Sequence, residues 1–137
     1  MALTREYLRV EDSDAPGLTR VVEYGDWCVG IKKHRLANDK EGFVCLEKHL
    51  ETDEVFILLT GHCVLLIKDG QGEIQLCPLE KYKVYCVPKG VWHNTVVSRD
   101  VKMILVEGRD TTMENTELQD LQPRQLSDLR AAAAKYF

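Results

Sequence analysis

The sequence has no cluster of lysine and arginine residues beyond one short run at residues 32–35, although 18 of its 137 residues are lysine or arginine, and its net charge is −4. Proteins that bind nucleic acid gather positive charge on one face or along one helix. Because the basic residues of this chain are scattered, we expect no nucleic acid among its partners.

Long apolar runs are also missing. No run approaches the roughly 20 residues that a helix needs to cross a bilayer, and the segment after Met1 lacks the apolar stretch of a signal peptide. We therefore expect no membrane partner and a cytoplasmic location. The length and the 45% share of hydrophobic residues fit one domain with its own core.

The five cysteines form no CxxC pair, and their number is odd. This argues against a disulfide framework and against a structural zinc site. Each cysteine lies in an apolar or alternating segment, where free cysteines often act as small hydrophobic residues. A Cys45 nucleophile that shares a face with Glu47 and His49 is the weaker alternative, because nothing in the sequence indicates a lowered thiol pKa.

Short β-rich segments separated by turn residues fill the chain from residue 18 to residue 107. Such a series is typical of a β-sandwich or barrel, so we predict an all-β fold of about nine strands. The predicted strands cover residues 20–24, 27–34, 43–50, 54–60, 62–68, 73–77, 82–87, 91–98 and 101–107.

The two ends of the chain differ from this central region, residues 18–108. Residues 1–17 form an N-terminal arm, in which residues 3–10 are predicted to make a short helix. In the C-terminal segment, residues 109–137, an irregular polar connection leads to an alanine-rich helix after Pro123. Residues at helical spacing would pack this helix on the barrel or on a partner subunit, namely Leu126, Leu129, Ala133 and Phe137.

Three residues in two separate motifs have the chemistry of a metal site: His49, Glu54 and His93. Side chains alternate along a strand, so Glu47 and His49 point to the same face. If residues 50–53 form a hairpin loop, His49 and Glu54 become opposed cross-strand neighbours with Cβ atoms about 5 Å apart. The turn at residues 88–90 would let the next strand aim His93 inward.

Two imidazoles and one carboxylate, with Glu47 as a possible fourth ligand, suit Fe(II), Mn(II), Zn(II), Ni(II) or Cu(II) better than calcium or magnesium. The predicted cofactor is therefore a divalent transition metal. His34 is left out because it lies in a basic run, and His62 because it fits no ligand spacing.

These motifs resemble those of the cupins, a family of small jelly-roll proteins of the RmlC-like superfamily. Cupins carry a first motif G-x5-H-x-H-x(3,4)-E-x6-G and a second motif G-x5-P-x-G-x2-H-x3-N. The matching positions of this chain are His49, Glu54, Gly61, Pro88, Gly90 and His93. The resemblance covers about residues 42–97 and implies a cupin-type double-stranded β-helix, a jelly-roll barrel.

The chain departs from the cupin motifs at four positions. Glu47 stands where the family usually has the first histidine, Tyr82 and Val97 replace a glycine and an asparagine of the second motif, and Gly42 is displaced by one. Glu47 has three possible roles: a metal ligand, an acceptor that orients His49, or a catalytic general base over bound substrate.

The resemblance implies one main function and leaves alternatives open. The main hypothesis is an enzyme of the oxygenase or isomerase type that acts on a small oxygen-bearing metabolite at the metal. The alternative is a non-catalytic module that binds a small molecule in a metal-free pocket. Cupin barrels commonly pair, so we also expect a homodimer. The jelly-roll fold by itself decides none of these, because it hosts many unrelated functions.

Overall fold

The computed structural model of the protein describes residues 3–137, and within them it contains ten β-strands and one α-helix. All nine predicted strands overlap an observed strand. The strands are β1 (Leu18–Tyr24), β2 (Trp27–Lys33), β3 (Cys45–His49), β4 (Glu54–Thr60), β5 (Cys63–Lys68), β6 (Ile74–Pro78), β7 (Tyr85–Val87), β8 (His93–Val97), β9 (Lys102–Gly108) and β10 (Thr116–Asp120), and the helix is α1 (Pro123–Ala134).

The strands form two five-stranded antiparallel sheets. The first sheet has the order β1-β2-β9-β4-β7, and the second has the order β10-β3-β8-β5-β6. Successive strands often belong to opposite sheets, as in a jelly roll. The inward side chains of both sheets pack together in an apolar core that contains Phe56, Leu58, Leu65, Val97 and Met103. The predicted all-β jelly-roll fold is confirmed.

The C-terminal helix packs on the outer face of the second sheet. Pro123 occupies its first turn, where the missing N–H costs no hydrogen bond. Leu129 joins Phe43 and Leu46 in a second apolar cluster, and Ala133 is fully buried. The predicted apolar face of the helix therefore covers the barrel, although Phe137 at the end of the chain stays 37% exposed.

The predicted N-terminal helix over residues 3–10 is wrong. The structure shows a single turn, in which the amides of Tyr7 and Leu8 donate to the carbonyl of Thr4. The apolar side chains of this segment, Leu3, Tyr7, Leu8 and Val10, are all exposed. A helix this short depends on burial of an apolar face, and residues 3–10 bury none.

The connection at residues 109–122 is more regular than predicted, because it contains β10. Thr116 to Asp120 pair with His49 to Cys45 of β3. Most of this strand is exposed, so it lacks the strict apolar alternation that marks a half-buried strand in a sequence. The backbone hydrogen bonds of β10 are made with the edge of β3 that β8 leaves free.

The predicted hairpin between β3 and β4 is also wrong. β3 pairs with β8 and β10, whereas β4 pairs with β7 and β9, so residues 50–53 cross from one sheet to the other. His49 and Glu54 consequently face each other across the interior instead of lying side by side on neighbouring strands. The polar composition of the loop is the same in both arrangements, and therefore it could not distinguish them.

The backbone conformation explains why both motifs contain a glycine, Gly61 in the first and Gly90 in the second. Gly61 has a φ of 75°, and a Cβ atom there would lie 2.7 Å from the Ser98 hydroxyl oxygen. Gly90 has a φ of 80°, and its amide donates to the carbonyl of His49 over 2.8 Å. Both backbones need a residue that tolerates positive φ. The turn at residues 88–90 is thereby attached to the end of β3, beside His49.

No helix within residues 3–137 has the length and the apolar character that a membrane span requires.

Candidate metal centre

Four acidic and histidine side chains converge at one end of the barrel interior. They are Glu47 and His49 on β3, Glu54 at the start of β4 and His93 at the start of β8. One possible ligand atom from each residue lies within 4.8 Å of the corresponding atoms of the other three. The structure therefore brings together all four residues singled out in the sequence.

Sheet register explains how the second sheet contributes three of these residues. Glu47 of β3 lies directly opposite His93 of β8, and this is the one β3–β8 pairing among the described residues. Directly opposed residues of antiparallel strands share a face, and His49 follows two positions after Glu47 on that face. Glu54 completes the group from the first sheet.

The distances within the group fall in two classes. Glu47 Oε1 lies 3.8 Å from the Nε2 atoms of both His49 and His93, and His93 Nε2 lies 3.5 Å from Glu54 Oε2. Ligands about 2.1 Å from a tetrahedral metal ion are about 3.4 Å apart. The contact between His49 Nε2 and Glu54 Oε2, at 2.5 Å, is closer than that spacing.

Two polar atoms of the group are buried without a hydrogen-bond partner: Glu54 Oε2 and His93 Nε2. His49 Nε2 is near Glu54 Oε2, but the two atoms do not meet with the geometry of a hydrogen bond. A buried polar atom without a partner costs about 1–3 kcal/mol. A cation between the two sheets would contact both atoms, so the donor set fits a metal ion.

Hydrogen bonds on the far side of each imidazole orient the rings. His93 Nδ1 lies 2.9 Å from the carbonyl of Val91, which can only accept, so Nδ1 carries the proton and Nε2 keeps a lone pair in the neutral ring. His49 Nδ1 lies 2.9 Å from the Thr116 hydroxyl on β10. Such outer hydrogen bonds are typical of metal-binding histidines.

The charges of the group are strongly coupled. Burial by itself would raise the pKa of Glu54, but its contacts with His49 and His93 outweigh that effect and lower the pKa to about 2. Burial would lower the pKa of His49, yet the contact with Glu54 raises it overall. Glu54 is therefore ionised at neutral pH, as a metal ligand must be.

Glu47 differs from the other three residues in its exposure. Its side chain is 29% exposed, compared with 5% for Glu54 and 2% for His93. Glu47 is consequently the member of the group that solvent or a small molecule can reach most easily.

Glu107, a buried carboxylate next to this group, was not predicted from the sequence. It lies opposite Glu54 in the β4–β9 pair and therefore on the same inward face. Burial raises its pKa, and the charge of Glu54 adds to this effect. The alternation of Met103, Leu105 and Glu107 along β9 could have predicted that the Glu107 side chain points inward. Thr116 gave no such signal, because its partner His49 lies 67 positions away.

A mostly apolar cavity of about 230 Å³ lies between β6 and β7, the edge strands of the two sheets. Two of its lining residues adjoin the group: Ile67 is opposite His93, and Val87 is opposite Glu54. The other lining residues are Leu65, Cys77, Tyr85, Cys86, Pro88 and Val91. None of the four polar residues lines the cavity, but these two pairings place it next to His93 and Glu54.

No protein-family profile matches the chain, and no curated protein matches it either. Solved structures do match. A variant of Pac13 from Streptomyces, solved with uridine, is 12% identical over 81% of each chain with a TM-score of 0.61. Another structure of Pac13, described as a nucleoside dehydratase, has 11% identity over 76% of this chain and 78% of that chain, with a TM-score of 0.59.

A cupin-2 domain protein from Shewanella frigidimarina NCIMB 400 is also similar. It is 22% identical over 77% of this chain and 88% of that chain, with a TM-score of 0.52. Identities this low support a common fold and leave function to the site itself. The sheet topology and these similarities together show that the protein has the fold of a small cupin-like domain.

Proposed function

We propose that this protein binds one divalent transition metal ion through His49, Glu54 and His93 and acts on a small oxygen-bearing metabolite. The observation that carries the proposal is the pair of buried atoms, Glu54 Oε2 and His93 Nε2, that face each other across 3.5 Å without hydrogen-bond partners. A metal ion supplies what both atoms lack.

The donor set of two imidazole nitrogens and carboxylate oxygens is compatible with iron, manganese, zinc, nickel and copper. Such an ion, when bound, polarises an oxygen atom of the substrate, and iron or copper adds redox chemistry. The protein would hold the ligands in place through the far-side hydrogen bonds of His49 and His93.

Glu47 is the proposed catalytic residue. Its carboxylate faces both imidazoles at 3.8 Å, so it can serve as a fourth ligand in the absence of substrate. Its greater exposure supports a second role, in which the carboxylate takes a proton from the bound substrate. An isomerase needs such a base, so the isomerase type uses more of this site than the oxygenase type does.

Metal content tests the main proposal, because it does not require knowledge of the substrate. We expect purified wild-type protein to contain about one metal ion per chain by elemental analysis and His93→Ala to contain almost none. His62→Ala is the matched control, since His62 lies outside the group and should leave the metal content unchanged. Equal metal content in wild type and His93→Ala would contradict the proposal.

A second comparison separates Glu47 from the buried ligands. We expect Glu54→Gln to weaken metal affinity by at least about 100-fold and Glu47→Gln by less than about tenfold, because Glu47 is the exchangeable group. A competition titration with a chelating dye measures both affinities. An equal loss in the two variants would show that Glu47 is a permanent ligand and would remove its role as base.

One observation favours the alternative of a metal-free binding module. The 2.5 Å contact between His49 and Glu54 becomes an ion pair when His49 is protonated, and it would neutralise the carboxylate without a metal ion. Pac13 was solved with uridine, so uridine is the first small-molecule probe. A uridine-induced rise in melting temperature of metal-free protein, without product formation, would support this alternative.

Assembly into a homodimer and a cytoplasmic location also remain proposals. The exposed apolar side chains of the N-terminal arm, Tyr7 and Val10 among them, support the dimer because a second chain could cover them. Sedimentation equilibrium tests the dimer, and a monomer mass across the micromolar range would contradict it.

A further inference from the structure

Lys32 places a positive charge inside the barrel. It lies on β2 and is 7% exposed. Its inward direction follows from its pairing with Met103, a fully buried residue of the core between the sheets. Its Nζ atom donates to the Thr95 hydroxyl of β8 over 2.8 Å, so the side chain spans the interior from the first sheet to the second.

Few contacts within residues 3–137 stabilise the charge of this ammonium group. Lys32 takes part in none of the ion pairs found among residues 3–137. An ammonium has three N–H donors, and the Thr95 hydroxyl accepts one of them. Burial of a charge without an opposite charge destabilises a protein. Packing alone therefore does not explain a lysine at this position.

The hydrogen-bond partner of the Lys32 amino group lies near the candidate metal centre. Thr95 follows His93 by two positions on the same inward face of β8, a separation of about 7 Å along the strand. Burial lowers the pKa of Lys32, and the charges of Glu54 and Glu47 are the main influences that raise it. Lys32 therefore shares an electrostatic environment with the carboxylates of the group.

The apolar cavity is adjacent to both features, although neither Lys32 nor His93 lines it. Leu65 and Ile67 of β5 line it, and they lie opposite Thr95 and His93, respectively. Leu65 therefore separates a ligand in the cavity from Thr95, the hydrogen-bond partner of Lys32. Ile67 separates the same ligand from the imidazole of His93. The cavity volume of about 230 Å³ limits the ligand to a small molecule.

We propose that Lys32 is the anion-binding group of this site and binds the carboxylate of a small substrate whose second oxygen group faces His49, Glu54 and His93. The inference rests on the proposed function and deepens it, because it names the substrate class: small hydroxy, oxo or dicarboxylic acids. Neutral polar molecules such as nucleosides fall outside this class. A carboxylate would supply the direct ion pair that Lys32 lacks.

The test measures ligand affinity in the metal-loaded protein by titration calorimetry. The probes are malate, succinate and 2-oxoglutarate, with uridine as a neutral probe. The variants are Lys32→Met, which removes the charge at similar volume, and Lys33→Met, the matched control whose side chain points to the opposite face of the strand. Lys32→Gln is the second variant, since it keeps an N–H donor for Thr95.

We expect at least one carboxylate to bind wild type and Lys33→Met equally and to bind Lys32→Met and Lys32→Gln at least about tenfold more weakly. Any affinity for uridine should not change. The melting temperature of Lys32→Met without ligand should equal or exceed that of wild type, because the variant removes an unpaired buried charge. A residue kept for structure alone would give the opposite shift.

Three results would overturn the inference: equal carboxylate affinity in wild type and Lys32→Met, an equal loss of uridine and carboxylate binding, or no binding of any carboxylate to wild type that contains metal. The metal content of each sample is measured in parallel. A wild-type chain without metal contradicts the proposed function, whereas a metal-loaded chain that binds carboxylates independently of Lys32 contradicts only this inference.

Discussion

The two ends of the barrel interior have opposite chemistry although the same strands build them. β4 runs from Glu54 to Leu58 and beyond, and β8 runs from His93 to Val97. One end holds Glu47, His49, Glu54, His93 and Glu107, and the other holds the apolar side chains of Leu58, Cys63, Val97, Val101 and Met103, with Lys32 entering opposite Met103. Each strand therefore contributes to stability at one end and to the candidate site at the other.

This division has an energetic reason. Burial of apolar surface contributes about 25 cal/mol per Å², so the apolar end stabilises the fold. Buried carboxylates and imidazoles without full hydrogen bonding have the opposite effect. The polar end can keep its unpaired atoms because the apolar end holds the same strands in register. Substitutions at the two ends should therefore affect different properties.

The largest effect is expected at the apolar end. Leu58→Ala should lower the free energy of unfolding by about 2–5 kcal/mol, because it leaves a cavity in the core. Urea denaturation measures the change, and metal content per folded chain should stay the same. Leu118→Ala is the control: Leu118 is 53% exposed, so its removal should cost within about 0.5 kcal/mol. If Leu58→Ala removed the metal as well, the two ends would not be independent.

The polar end should make the stability of metal-free protein depend on pH. The pKa of Glu54 is about 2 in the folded chain, against 4.5 for an unperturbed glutamate, so its contribution, about 3 kcal/mol, is complete above pH 4.5 and lost as the pH falls towards 2. The pKa of His49 is raised from 6.5, so its contribution is complete below pH 6.5 and lost as the pH rises through the folded value.

Thermal melts of chelator-treated protein from about pH 2 to about pH 8 test this dependence. Glu54→Gln should flatten the curve at both sides, because His49 loses its charged partner along with the carboxylate. Glu51→Gln is the control, since Glu51 is exposed and lies in the loop before β4. Parallel curves for wild type and Glu54→Gln would show that the contact between His49 and Glu54 does not contribute to stability.

The smallest of these three effects is expected at Thr116, whose hydroxyl contacts His49 Nδ1 on the side of the ring away from Glu54. Thr116→Val should weaken metal affinity by about 10- to 100-fold, because His49 loses the hydrogen bond that orients its ring. The competition titration described for Glu47→Gln measures this loss. Thr60→Val at the opposite end of β4 should not change metal affinity. An unchanged affinity in Thr116→Val would mean that packing alone orients His49.

Alternation and motif spacing predicted much of this structure. The strand at residues 54–60 was predicted with its observed bounds, and Leu129 and Ala133 were placed on the buried face of the helix. Such local patterns are readable because side chains repeat with a fixed period in each element. The helix predicted at residues 3–10 failed because an apolar segment does not reveal whether anything will cover it.

The sequence by itself determined the chemical types in the candidate site and the faces on which Glu47 and His49 lie, since both follow from residue identity and strand period. Only the tertiary structure decided that Glu54 approaches from the other sheet, that Thr116 supports His49, and that Lys32 and Glu107 share the interior. Those contacts join residues far apart in the chain, and they depend on how the strands pair and how the sheets pack.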